Sequence, residues 1–355
     1  MTTLDVRTDP TADLTTRRTI DRHLVHRAAI AEVFLTDFRT IDSTTFEAAA
    51  QLPPAHSYYG DHTGRPELHD PLAVFESVRQ MLLCAMHLQH GASQDTKSIT
   101  AECRMEITDP APLLADGGVP ELTLLGKVSL EKMFAGVTAR VVHDVEVLVG
   151  GRSVGTVSVD TALRPDDVYQ ELRMSHRTTP PPYSDTLPAD GPAAPVRPHL
   201  VGREHAENVV LRDVRDTEDT VVARLHVPVA HRSMFDHPQD HVPGPVMMEA
   251  ARQAAVFLLG ERLGQAPAKL FLQQITATYL RFAELDSDLL VQACLVPDDG
   301  AADGTADTAA ATAADGGRLI AVSFLQSNHT VARIQVRLGL TVGWPQDTRG
   351  AGDAL

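Results

Sequence analysis

"DHVPGPVMMEAARQAAVFLL", residues 240–259, decides how this chain is read. Pro245 stands where a first helical turn tolerates proline, and an apolar run follows it. The run is written for burial, yet Glu249, Arg252 and Gln253 fall at i, i+3 and i+4 and so share one stripe of the helix. "DPLAVFESVRQMLLCAM", residues 70–86, does the same with Glu76, Arg79 and Gln80. Its start is marked by Asp70-Pro71, and Asp70 has the chemistry of an N-cap. A Glu–Arg pair three apart on one helix can be a simple surface ion pair. Burying ions costs several kcal/mol each before compensation, so a chain that does this twice points to a function.

The two helices belong to an internal repeat. "LVHR" at 24–27 is echoed by "LVGR" at 200–203, and "VFLTD" at 33–37 by "VVLRD" at 209–213, both 176 positions on. "AH" at 55–56 returns at 230–231, "ESVRQ" at 76–80 as "EAARQ" at 249–253, and "ITA" at 99–101 at 275–277. Their fixed order predicts a duplicated domain. The expected copies are residues 20–176 and 200–342, joined by a proline-rich, extended linker at 177–199. An acidic Ala/Gly-rich stretch at 297–317 reads as a solvated loop interrupting the second copy.

Composition narrows the function. The chain has 355 residues and a net charge of −16, which argues against a nucleic-acid partner gripped through its phosphates. A phosphorylated small molecule would need Arg or Lys focused in one pocket. The opening stretch lacks the apolar core of a signal peptide, and no segment has the length of a membrane span. Cys84, Cys103 and Cys294 are scattered and odd in number, which suits a reducing cytoplasm.

Within each copy, two strand-like segments precede the helix and several β-branched, alternating segments follow it. Gly150-Gly151 and Ser327-Asn328-His329 read as hairpin turns. The expectation is an α+β plan: in each copy, an antiparallel sheet wrapped around one long helix.

That plan, with this helix, resembles the hot-dog fold. Pro243-Gly244, Glu249-Ala250 and Gln253 fit the spacing of its dehydratase signature, but Phe235 stands where those enzymes carry their catalytic histidine. More of the chain, from about Leu24 to Gly339, resembles the A-factor synthase family of actinobacterial tandem hot-dog proteins. The motifs that carry this are "LVHR" at 24–27, "HDPLAVFESVRQ" at 69–80, "QDHVPG" at 239–244 and "MEAARQAA" at 248–255. The resemblance implies an acyltransferase of γ-butyrolactone and butenolide signal synthesis, joining a 3-oxoacyl thioester to the hydroxyl of glycerone phosphate. The donor's carrier is acyl carrier protein or coenzyme A. No metal, nucleotide or redox cofactor is implied.

The residues fit that chemistry in a definite way. Glu249, with Glu76 as its counterpart, is the expected base, its pKa raised by desolvation unless the neighbouring arginine offsets it. Arg252, with Arg79, offers a fork for phosphate. Gly244 opens its helix and could offer an N–H to an oxyanion, while Gln253, Gln80, His231 and His241 are the further substrate-binding expectations. The second copy is the favoured site. His231, Asp236, His237, Asp240 and His241 match no common zinc spacing and read as turn residues, with no metal expected. Lys97 and Lys269 read as solvated, Cys84 as core, and Met247, Met248 and Phe257 as core or tunnel lining. The copies are expected to pack as a pseudo-dimer with the site near their interface, and a homodimer of such chains stays open. The rival readings are a thioester hydrolase or dehydratase on the same fold, and a non-catalytic acyl-ligand binding protein.

Overall fold

Asp70 ends an extended stretch and accepts the N–H of Leu72 at 2.8 Å, which starts α1 (Pro71–Leu88). The helix is apolar on almost every face and is buried almost throughout, as such helices are. Its counterpart α3 (Gly244–Leu263) starts after Pro243 and stops at Gly264, which takes the left-handed conformation that glycine allows. The computed structural model describes residues 14–115, 117–188, 196–217, 220–297 and 317–341. The expected acidic loop at 297–317 lies, apart from its two ends, outside them.

Before α1 come β1 (Leu35–Thr40) and β2 (Thr45–Gln51); after it come β3 (Lys97–Ile107), β4 (Glu121–Phe134), β5 (Val137–Val149) and β6 (Arg152–Arg164). The second copy repeats this with β7 (Leu211–Asp216) and β8 (Val221–Leu225), then α3, then β9 (Leu270–Tyr279), β10 (Leu290–Leu295), β11 (Arg318–Gln326) and β12 (His329–Leu340). Gly150-Gly151 and Ser327-Asn328 make the predicted turns with positive φ at each position, the backbone that two-residue hairpins require.

All the pairings are antiparallel, and the order β1-β2-β4-β5-β6-β3-β9-β12-β11-β10-β8-β7 reads as one copy followed by the mirror order of the other. The copies join edge to edge where β3 meets β9, with Cys103 opposite Ala277 and Met105 opposite Ile275. One hydrophobic core runs through both halves, so neither helix face is left to solvent. This is the tandem hot-dog expected from the sequence. No helix among the described residues is long and apolar enough to cross a membrane.

Two features lie beyond the sequence expectations. A short helix, α2 (Asp166–Met174), follows β6 and buries Tyr169 and Arg173. Residues 177–188, the start of the proline-rich segment, are strapped to the second copy. Arg177 pairs with Glu284 and Asp286 at 2.9 and 2.6 Å, and Ser184 and Gln239 exchange backbone and side-chain hydrogen bonds.

Candidate functional site

The charged stripe of each helix is anchored by its glutamine. The Gln80 carbonyl accepts the N–H of Phe34 and Leu35 at 2.8 and 3.2 Å, and its amide donates to Glu32 O and to Glu76 Oε1 at 2.8 and 2.7 Å. Glu76 then receives Arg79 Nε at 2.7 Å and Arg27 Nη2 at 2.5 Å. In the second copy Gln253 accepts Val210 N–H at 3.0 Å and donates to Asn208 O and Glu249 Oε1 at 2.7 and 2.5 Å. Glu249 receives Arg252 Nη2 at 2.5 Å and Arg203 Nε at 2.9 Å. Arg27 and Arg203 are the last residues of "LVHR" and "LVGR", so the repeat supplies a second guanidinium to each carboxylate.

These arginines decide the ionisation of Glu76. Burial raises its pKa, but the charges and hydrogen bonds of Arg27 and Arg79 pull harder the other way and bring it down to about 2. A carboxylate held so firmly ionised is a weak base at neutral pH.

The halves differ in what lies beside the clamp. A cavity of about 1300 Å³ opens against Arg27, Glu76 and Arg79 of the first copy and against His237, His241 and Gly244 of the second. Its walls carry seven Arg or Lys side chains and four Asp or Glu, in a chain whose net charge is −16. Glu249 and Arg252 are not on that wall. Glu249 is fully buried, and Arg252 and Arg203 border a cavity of only about 60 Å³ together with His62.

The loops ahead of the helices contain a second repeat that sequence reasoning passed over: His-x4-Asp-His at 56–62 and at 231–237. Each leading histidine closes a turn. His56 Nδ1 accepts the N–H of Tyr58 and Tyr59, both at 3.2 Å, and His231 Nδ1 those of Ser233 and Met234 at 3.2 and 3.1 Å. Each aspartate reaches into the other copy, Asp61 to the N–H of Glu204 and His205, Asp236 to those of Ala28 and Ala29. The final histidine faces a cavity: His62 the small one, His237 the large one.

His237 has Asp236 Oδ2 at 3.4 Å from Nδ1 and takes Gln239 Nε2 on its own Nε2 at 2.6 Å. Burial lowers its pKa below 6.5, with the Asp236 hydrogen bond pulling upward, so the ring is neutral at pH 7 and can accept a proton. His241 Nδ1 has Asp240 Oδ1 at 2.6 Å, and Asp240 is held by Tyr169 at 2.9 Å and Arg173 at 3.0 Å, both from α2. The His/Asp-rich stretch therefore resolves into two carboxylate–imidazole pairs on the cavity wall, plus His231, which lies off the wall with Nε2 2.8 Å from Asn208 Oδ1.

Gly244 is needed for a close approach. A Cβ there would stand 2.8 Å from the hydroxyl of Tyr279, which shares the wall. Met247 and Met248 also line the cavity. Lys97 lies on the wall and pairs with Asp166 at 3.4 Å, whereas Lys269 donates to Arg65 O at 3.3 Å away from it. Cys84 is buried, and burial raises its thiol pKa far beyond the reactive range.

The A-factor biosynthesis hotdog domain matches twice, over residues 8–164 and 184–338. A 2-oxo-3-(phosphooxy)propyl 3-oxoalkanoate synthase of Streptomyces virginiae is 32% identical over 291 residues, covering 79% of this chain and 88% of that protein. A protein of the same name from Streptomyces coelicolor is 30% identical over 279 residues, covering 77% and 81%. Among solved structures, the 12:0-ACP thioesterase of Umbellularia californica aligns with a TM-score of 0.48 at 12% identity, covering 83% of this chain and 97% of that one. With two matched copies spanning most of its length, the chain belongs to the A-factor biosynthesis hotdog domain family.

Proposed function

We propose that this protein is an acyltransferase that joins a 3-oxoacyl thioester to the hydroxyl of glycerone phosphate, and that it works in the large cavity. The product of that reaction is a 2-oxo-3-(phosphooxy)propyl 3-oxoalkanoate, the compound in the name of its Streptomyces relatives. The observation that carries the assignment to this cavity is its wall: an Arg27–Glu76–Arg79 clamp in which two guanidinium groups share one buried carboxylate, in an otherwise acidic chain. Such a wall attracts a phosphorylated acceptor.

His237 Nε2 takes the proton of the acceptor hydroxyl, in the place where Gln239 now donates. The oxygen attacks the thioester carbonyl, an oxyanion forms, and the surplus positive charge of the clamp stabilises it. As the C–S bond breaks, the imidazolium returns the proton to the departing thiolate, so the thiol of acyl carrier protein or coenzyme A is released. The acyl chain lies along the apolar wall beside Leu83, Phe75 and Met247. In the ester, the methylene between the two acyl carbonyls can add to the glycerone ketone and lose water, giving a phosphorylated butenolide.

Incubation with a 3-oxoacyl thioester and glycerone phosphate tests this, with free thiol and the product mass as readouts. Ester or butenolide forming only with both substrates is the expected result. Thiol release that ignores glycerone phosphate would make the protein a hydrolase, and binding without release an acyl-ligand binder.

A further inference from the structure

The repeat places the same clamp in both halves, but only one has its charges balanced. In the second copy two guanidinium groups, Arg203 and Arg252, face two carboxylates, Glu249 and Asp70. Asp70 reaches there from the start of α1: its Oδ1 caps Leu72 at 2.8 Å and also accepts Arg252 Nη1 at 2.6 Å. In the first copy Arg27 and Arg79 face Glu76 alone. The residue equivalent to Asp70, 173 positions on like the helix triad itself, is Pro243. Asp61 and Asp236 are present in both halves, and Glu32, which stands where the second copy has Asn208, turns its carboxylate to Ser233 Oγ at 2.9 Å and His56 Nε2 at 3.4 Å and pairs with neither arginine.

The missing negative charge has a place waiting for it. Arg79 gives Nε and Nη2 to Glu76, and among the described residues its Nη1 has no partner. Its side chain is 29% exposed and lies on the cavity wall, as does Gly244 in the first turn of α3. By the repeat, Arg79 stands to the start of α3 as Arg252 stands to Asp70 at the start of α1, and a guanidinium arm at a helix start is a phosphate-binding arrangement. A guanidinium on the cavity wall with a free N–H and, among the described residues, no second carboxylate beside it also calls for an anion.

We propose that the position beside Arg79 and the Pro243-Gly244 start of α3, filled by the Asp70 carboxylate in the closed half, is an anion subsite of the open half and holds the phosphate monoester of the acceptor. This deepens the acyltransferase reading and names where its acceptor is gripped. Asp70 thus serves as a built-in plug that closes one of the two sites.

Pro243→Asp tests it by installing the plug in the open half, in the full chain. Aspartate is a good N-cap, so the variant is expected to keep or gain thermal stability. Calorimetry with glycerone phosphate should show affinity falling by about tenfold or more, with the Michaelis constant for the acyl thioester within about twofold of the parent. Pro243→Asn, of similar shape without the charge, should bind glycerone phosphate nearly as the parent does. Unchanged affinity in folded Pro243→Asp, equal loss in Pro243→Asn, or no binding by the parent would overturn the subsite. A weakened thioester in place of a weakened acceptor would assign the position to the donor's phosphate and overturn it too. If the parent binds glycerone phosphate in this plug-sensitive way but forms no ester, the acyltransferase reading fails and the subsite stands.

Discussion

Asp236 accepts the backbone N–H groups of Ala28 and Ala29 at 2.6 and 3.0 Å, although it follows Ala28 by 208 positions. This contact fixes the loop carrying His237, the proposed base, against the segment carrying Arg27, so both are positioned by one carboxylate. The base must be neutral to work, so activity should rise with pH along an acid limb below 6.5 and be flat at neutrality. Burial depresses the His237 pKa and Asp236 pulls it upward, so Asp236→Asn should move that limb to lower pH and cut kcat by roughly tenfold or more. The pH profile of kcat/KM checks this; a limb that stays in place would separate His237 from Asp236.

His237→Gln removes the base and leaves the loop anchors of Asp236 and His231 intact. A fall in kcat of about 10² to 10⁴ is expected, with the thermal midpoint close to that of the parent. Rates near those of the parent would exclude this imidazole from proton transfer.

Much of this was legible before any coordinates. The stripes Glu76–Arg79–Gln80 and Glu249–Arg252–Gln253 announced two copies of a helix that buries charge. Arg27 and Arg203 were visible as motif residues, but nothing local ties them to carboxylates 49 and 46 positions away. The His-x4-Asp-His repeat was present in the letters, yet what its aspartates share is a grip on backbone N–H groups of the opposite copy, which leave no side-chain signature. The large cavity borders the first clamp and the small one the second, and the chain differs there in Asp70 against Pro243 and in the loops ahead of the helices, residues 62–70 against 237–243. Those are differences of packing, and packing has no period in a sequence. Of α2 only Tyr169 and Arg173 turn inward, too few for an apolar stripe that a sequence pattern could show.

The closed half should behave as structure. Arg252→Met leaves Asp70 and Glu249 buried with Arg203 as their remaining guanidinium, and breaking such a network costs about 3–5 kcal/mol. Chemical denaturation should register that loss, while the Michaelis constant for glycerone phosphate, measured on folded protein, stays with the parent. A selective rise in that constant without loss of stability would place the acceptor in the second copy.

Glu76 links the site to acid stability. Its folded pKa of about 2 lies below the ordinary 4.5, because Arg27 and Arg79 outweigh the penalty of burial. A depressed carboxyl contributes stability that is fully present above about 4.5 and is lost as pH falls toward 2. The size is on the order of 3 kcal/mol at neutral pH. Glu76→Gln should therefore be markedly less stable than the parent at pH 7, since both arginines lose their counter-charge. The gap should narrow steadily below pH 4.5, where the parent's own carboxyl takes up its proton. Paired denaturation curves across that window decide it; a gap that does not change with pH would mean that Glu76 stabilises by shape and not by charge.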